Sequence, residues 1–192
     1  MFNFMGIILA SSSPRRKRIL NNLGYDFIIV EPKINEDNIF SLNPKDYVKD
    51  ISEKKGLAVF KKYKNDHIIS GDTIVSFENE IIGKPKSEQD AFNILKKFSD
   101  NFHYVISALT LSFENSQITL IDSSKVYFNK ISKNIIEDYI SKFNVMDKAG
   151  AYNIENADGI LIKNIDGCYN NIVGFPEKKF LKSKIKAEID KI

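Results

Sequence analysis

The chain has 192 residues, enough for one sizeable core, and its 43% hydrophobic and 28% charged content is that of an ordinary globular protein. A net charge of +3 gives no argument for nucleic acid or an acidic membrane surface; the single cysteine excludes an internal disulfide, and two histidines beside it supply no zinc-ligand set. Met1 to Leu9 is apolar without a basic leader or cleavage site, and no run approaches a membrane span, so a cytoplasmic protein with no nucleic-acid or membrane partner is expected.

Gly6 to Ala10 reads as a short buried strand, and Pro14 to Leu23 as a helix with Ile19, Leu20 and Leu23 on one face. Ser13 is the expected N-cap, Pro14 occupies N1 and Gly24 closes the helix. The turn between strand and helix, Ser11-Ser12-Ser13, offers hydroxyls and unpaired backbone N–H groups at a helix N-terminus. Arg15 and Arg16 follow in the first helical turn, where the helix dipole disfavours a cation and a bound anion would correct the mismatch. This is a phosphate site in outline.

Tyr25 to Val30 is the second expected strand, followed by a polar segment, Glu31 to Leu42, that carries Glu36 and Asp37. Asn43-Pro44 repeats the cap-then-proline signal and opens a helix through about Tyr63, with Tyr47, Val48, Ile51, Leu57, Ala58 and Phe60 as its apolar stripe and its lysines on the surface. His67 to Phe77 is the most strand-like run, yet Gly71-Asp72-Thr73 interrupts it. A carboxylate inside a β-run is costly unless it binds a cation or takes part in chemistry, which singles out Asp72. A hairpin turn at Glu78-Asn79-Glu80 returns Ile81-Ile82 along the strand and brings Lys84 back toward Asp72.

Ser87 caps a helix through about Phe98, and Tyr104 to Phe113 with Gln117 to Phe128 form a long hairpin. Ser132 caps a helix over Ile135 to Phe143. Asp147 to Tyr152 has no periodicity and reads as a tightly packed loop. Gly159 to Lys163 and Cys168 to Val173 read as a last hairpin, with Cys168 a core residue of an apolar strand, and a C-terminal helix follows Gly174-Phe175-Pro176. No linker or repeat divides residues 1–192, which are expected to form one α/β domain. There is neither a G-x-x-x-x-G-K-[ST] nor a G-x-G-x-x-G motif, and no nucleophile–histidine pattern. Carboxylates and fixed cations at the ends of apolar runs suit a polyphosphate with a divalent metal.

Five ordered segments then carry a family resemblance: Ser11 to Arg16 (S-x-S-P-R-R), Ser70 to Val75 around Gly71-Asp72-Thr73, Lys84-Pro85, Asp147 to Tyr152 (D-K-A-G-A-Y) and Val173 to Pro176. Over essentially its whole length the chain resembles the Maf family of nucleoside triphosphate pyrophosphatases. The resemblance implies a mixed-sheet α/β domain of the Maf or ITP-pyrophosphatase-like type with a cleft at the strand ends. It further implies a homodimer, a link to septum formation, and hydrolysis of a nucleotide between its α- and β-phosphates with Mg²⁺ or Mn²⁺. Asp72 would be the catalytic carboxylate, as general base or metal ligand, with Glu36 assisting at the metal. Ser11, Arg16, Lys55 and Lys84 would hold the triphosphate. Base selectivity would rest on Arg15, Thr73 and Glu155. Arg15 and Thr73 match the branch that prefers dTTP and UTP; Glu155 stands where that branch has Gln and resembles the branch acting on 7-methyl-GTP. Ser107-Ala108 replaces the usual T-G, and Asn153 the usual Gly. The expected activity is therefore dTTP/UTP pyrophosphatase, the alternatives being 7-methyl-GTP or ITP/XTP as substrate, or a nucleotide-binding regulator of septum formation without turnover.

Overall fold

The computed structural model describes residues 6–35, 43–114 and 116–192. The apolar run after Gly6 forms strand β1 (Ile7–Ala10), buried throughout, and Ser13 caps helix α1 (Pro14–Asn22) by accepting from the Arg16 amide at 3.4 Å. Gly24 adopts φ 85°, and the Gly24 and Tyr25 amides return to the Asn21 and Leu20 carbonyls, closing the helix as its sequence requires. Strand β2 is confined to Ile28–Ile29, shorter than the expected Tyr25 to Val30: it pairs only with β1 at the sheet edge, and both side chains are exposed.

Helix α2 (Pro44–Phe60) starts at Asn43, whose side chain accepts from the Lys45 amide at 2.9 Å. Its inner face is Val48, Ile51, Ser52, Gly56 and Val59, whereas Leu57, expected in the apolar stripe, is exposed. The inner stripe is partly polar because the helix lies very close to the sheet. A Cβ on Gly56 would sit 2.6 Å from Ser112 Oγ and 2.7 Å from Ser70 Oγ. Hydroxyls fill the contact: Ser52 Oγ and Thr110 Oγ1 are 2.7 Å apart, and Ser70 Oγ donates to the Ser52 carbonyl at 2.7 Å.

Strand β3 (His67–Phe77) turns through Glu78 and Asn79, both at positive φ, into β4 (Glu80–Ile82). Ser87 caps α3 (Glu88–Phe98), and the long hairpin β5 (Phe102–Phe113) and β6 (Ser116–Phe128) follows. Helix α4 (Lys133–Lys142), a 3-10 turn at Ala149–Ala151 and the short helix α5 (Ile154–Ala157) lead to β7 (Ile162–Asp166). The expected strand over Cys168 to Val173 is instead helix α6 (Tyr169–Val173). Gly167 at φ 132° directs the chain off the sheet, and Gly174 at φ 114° ends the helix. Between them the Asn171 amide donates to the Val105 carbonyl and Ser124 Oγ, each at 3.0 Å, so α6 packs over β5 and β6. Cys168 is buried, as expected, but at the N-cap of this helix. Two short helices, α7 (Glu177–Phe180) and α8 (Lys184–Ile189), complete the chain.

The seven strands among the described residues form one mixed sheet in the order β2-β1-β3-β5-β6-β7, with β4 also paired to β3. The first three run parallel and the rest antiparallel, so the architecture is the mixed-sheet α/β type expected. α2 covers one face; on the other, Leu95, Phe98, Tyr139, Phe175 and Phe180 pack with Leu109 and Leu111. One detail of register positions the site. β1 pairs with His67 to Ser70 and β4 with Val75 to Phe77 along the same edge of β3. Among the described residues, Gly71 to Ile74 therefore have no strand partner there. The sheet changes neighbour at this gap, a place where α/β sheets characteristically open a ligand cleft.

Candidate active site

The gap on β3 faces the N-terminus of α1, and the chemistry-bearing residues of distant segments meet there. Alternation along β3 sends Asp72 toward α2 and Thr73 to the opposite face. Toward α2, Lys55 Nζ lies 2.8 Å from Asp72 Oδ1, with both side chains about five-sixths buried (17% and 16% exposed). Lys55, not the exposed neighbour Lys54, thus turns inward, one residue before the close contact at Gly56.

On the other face, Arg16 is buried and its guanidinium is held by protein acceptors. Nε donates to the Gly174 carbonyl at 2.9 Å, Nη1 to Ser11 Oγ at 3.3 Å and Nη2 to Thr73 Oγ1 at 2.9 Å. Burial pushes this guanidinium below its ordinary value; Asp72 opposes the shift and Arg15 adds to it. Thr73 Oγ1 is 2.9 Å from Ser107 Oγ, and Ser107 donates its own proton to the Asn171 carbonyl at 2.8 Å. The hydroxyl chain therefore has one direction, Arg16 to Thr73 to Ser107 to the Asn171 carbonyl, and Thr73 has no proton left for a ligand. Gly71 makes the assembly possible, since a Cβ there would lie 2.8 Å from the Ala108 carbonyl oxygen and 3.1 Å from Arg16 Nε.

These residues border a cleft of about 610 Å³ with an adjoining recess of about 240 Å³. Ser11, Arg15, Arg16, Lys55, Lys84 and Glu155 line the cleft. Asp72 and Thr73 line the recess beside Val75, Val105 and Ile172, and Lys84 reaches both, as the β3–β4 hairpin predicts. Glu36 lies outside the described residues. Glu31, from the same segment, lines the cleft and was not singled out from sequence. Lys148, whose role the D-K-A-G-A-Y segment does not reveal by itself, also lines both spaces and holds Asp147 at 2.5 Å, which keeps that carboxyl below its usual range. Asn171 and the Gly174 carbonyl complete the set, contributed by α6, the element misread as a strand.

Five cations, Arg15, Arg16, Lys55, Lys84 and Lys148, and four carboxylates, Glu31, Asp72, Asp147 and Glu155, line these spaces, with Asp72 paired to Lys55, Asp147 to Lys148 and Glu155 to Arg18. Such a balance suits a polyanion whose reacting centre lies beside a carboxylate. Among the described residues no group of three His, Cys, Asp or Glu forms a metal cage. The Asp72 carboxylate, on the recess beside the cleft, nevertheless fits a hard divalent ion that takes its other ligands from phosphate oxygens and water.

The family model described as Maf-like protein matches residues 6–184. A Dictyoglomus turgidum protein named dTTP/UTP pyrophosphatase is 43% identical over 173 residues, covering 88% of this chain and 90% of that one. Proteins of the same name from Thermosipho melanesiensis (42% identical, 90% of this chain and 92% of the other) and Thermotoga maritima (35%, 97% and 96%) are similarly related. Among solved structures, the Staphylococcus aureus Ham1 protein aligns with a TM-score of 0.49 at 13% identity, over 80% of this chain and 90% of that one.

Proposed function

The chain belongs to the Maf family, and from that premise we propose that it is a pyrophosphatase that hydrolyses dTTP and UTP between the α- and β-phosphates. Each turnover consumes one water: its oxygen bonds to the α-phosphorus, and the bond to the bridging oxygen breaks. The electron pair leaves with pyrophosphate, and the nucleoside monophosphate remains. The observation that carries this reading is the convergence of Asp72 with Lys55, Arg16, Lys84 and Lys148 around the cleft and its adjoining recess.

Asp72 accepts the proton of the attacking water. Lys55 orients that carboxylate before substrate arrives, and Lys84, Lys148 and the N-terminal turn of α1 with Ser11 bind the phosphates. Arg16 fixes the turn that presents them and adds its charge. Mg²⁺ or Mn²⁺ held by Asp72 and Glu36 would share the charge of the transferring phosphoryl group. Arg15 and Thr73 favour a pyrimidine base, with Glu155 at the third position associated with base choice. The family resemblance extends the proposal to a cytoplasmic homodimer whose whole chain forms the catalytic domain.

The test is product analysis with dTTP, UTP, CTP, ITP, GTP and 7-methyl-GTP in the presence of Mg²⁺. Equal release of pyrophosphate and monophosphate, fastest with dTTP and UTP, is expected. Orthophosphate as the first product, or tight nucleotide binding without turnover as a cell-division regulator would show, overturns the reading. Fastest turnover of 7-methyl-GTP or ITP overturns the base assignment alone.

A further inference from the structure

Helix α1 presents Arg15 and Arg18 three residues apart, neighbours on the helix surface. Arg15 lines the cleft; Arg18 does not. Glu155 stands opposite, in the first turn of α5, its amide bonded to Asn153 Oδ1 at 3.4 Å and its side chain on the cleft wall. Arg18 Nη2 reaches Glu155 Oε1 at 2.5 Å. The contact joins residues 137 positions apart. Glu155 is held below its usual carboxyl range first by the hydrogen bond from Arg18 and also by the charge of Arg15. The carboxylate is therefore bonded to the arginine that lies off the cleft, while the arginine that lines the cleft acts on it through charge.

Two considerations argue against a purely structural pair. The side chains are 55% and 37% exposed, and ion pairs this open to solvent contribute little to folding. Moreover, an unanchored Glu155 would be drawn to Arg15, the only one of the two cations on the cleft wall, and would occupy the guanidinium that faces the substrate.

Resting on the pyrophosphatase reading above, we propose that Arg18 is a specificity-positioning residue: it anchors Glu155 from behind, leaves Arg15 to the nucleotide, and fixes a carboxylate edge that reads the base. An ionised carboxylate accepts hydrogen bonds and donates none. Uracil and thymine carry a ring N–H at the centre of their pairing edge and can donate to it. Cytosine has a bare nitrogen there, which the carboxylate repels. Anchored Glu155 thus selects a keto pyrimidine over an amino pyrimidine, a discrimination that a freely rotating amide, able to donate or accept, would make less sharply.

The experiment compares the full-length chain with Arg18→Ala, Glu155→Gln and the double variant. It measures kcat and KM for UTP and CTP, and equilibrium binding of UMP and CMP by calorimetry. Arg18→Ala should lower the UTP-to-CTP preference in kcat/KM by about tenfold, the scale of one hydrogen bond to a charged group. The loss should fall on KM, with kcat within about twofold, because Arg18 touches no reacting atom. In the Glu155→Gln background the same change should do little, since the residue it positions has gone. An unchanged preference in Arg18→Ala, or an equal change in both backgrounds, overturns the proposal. If no triphosphate is hydrolysed, the pyrophosphatase reading fails by itself, and the UMP-to-CMP binding ratio of the same four proteins still decides the role of Arg18.

Discussion

Lys55 Nζ lies 2.8 Å from Asp72 Oδ1, so the carboxylate proposed to take a proton from water is already held by a cation from a different layer of the fold. The pair forms because α2 can approach the sheet at Gly56, where backbone replaces side chain. Asp72→Asn keeps the shape and removes the base, and should lower kcat for UTP by about 10²–10⁴-fold, the range for loss of a general base. Lys55→Ala leaves the Asp72 carboxylate without the cation that orients it and should lower kcat more than it raises KM, by less than Asp72→Asn does. Steady-state pyrophosphate release separates the two effects; full turnover by Asp72→Asn would remove Asp72 from its role.

Arg16 spends its guanidinium on three separate protein acceptors, a geometry that a single ammonium cannot reproduce. Arg16→Lys preserves the charge but leaves at least one of the Gly174 carbonyl, Ser11 and Thr73 without its buried donor. Each lost partner costs about 1–3 kcal/mol. A fall in the thermal midpoint of roughly 2–10 °C follows for a chain of this size. Calorimetric unfolding of the two proteins measures it, and an unchanged midpoint would mean that the bonds to Arg16 do not stabilise the turn.

Much of this arrangement was legible in the sequence, and the remainder has identifiable causes. Strand β3 and helix α3 fall on the expected residues because each carries both its period and its punctuation: a glycine break and a tight turn for the first, a serine cap for the second. α6 was read as a strand because five residues are too few to reveal a helical period, and its N-cap, Cys168, makes no side-chain capping bond. The Gly174 carbonyl that accepts from Arg16 and the Asn171 carbonyl that accepts from Ser107 lie beside or on that helix, so they were illegible with it. Arg18 and Glu155 meet across 137 residues, and no local pattern announces the pair. Lys148 lies within the D-K-A-G-A-Y segment, but only the cleft shows which of its neighbours it faces.

Gly71 and Gly83 provide a matched pair of substitutions. A methyl at Gly71 would meet the Ala108 carbonyl oxygen at 2.8 Å and Arg16 Nε at 3.1 Å, whereas at Gly83 it would meet no described atom within 4 Å. Gly71→Ala must therefore displace β3 from β5 beside Asp72, at a cost of about 1–3 kcal/mol. Gly83→Ala should stay within about 0.5 kcal/mol. Urea unfolding tests stability, and pyrophosphate release should fall in the first variant alone. Equal stability of the two variants would show that β3 has room to shift.

His103 makes the stability of the core depend on pH. It is fully buried, stacked on Phe98 with ring centroids 4.1 Å apart, and its Nε2 lies 2.8 Å from the Tyr152 hydroxyl beneath the recess. Desolvation pushes its pKa down to about 3, so it is neutral in the folded chain, while the unfolded chain titrates near the ordinary 6.5. Between those values the unfolded state binds a proton that the folded state excludes. Stability contributed by neutral His103 is thus complete above about pH 6.5 and falls by up to about 1.4 kcal/mol per pH unit as the solution is acidified toward pH 3. Burial lowers His67 as well, adding to the slope in the same direction. His103→Phe has no proton to bind in either state, and its urea midpoint should fall less steeply between pH 6 and pH 4 than that of the unsubstituted chain. Parallel slopes would mean that His103 is protonated inside the fold, with the Tyr152 hydroxyl accepting from it.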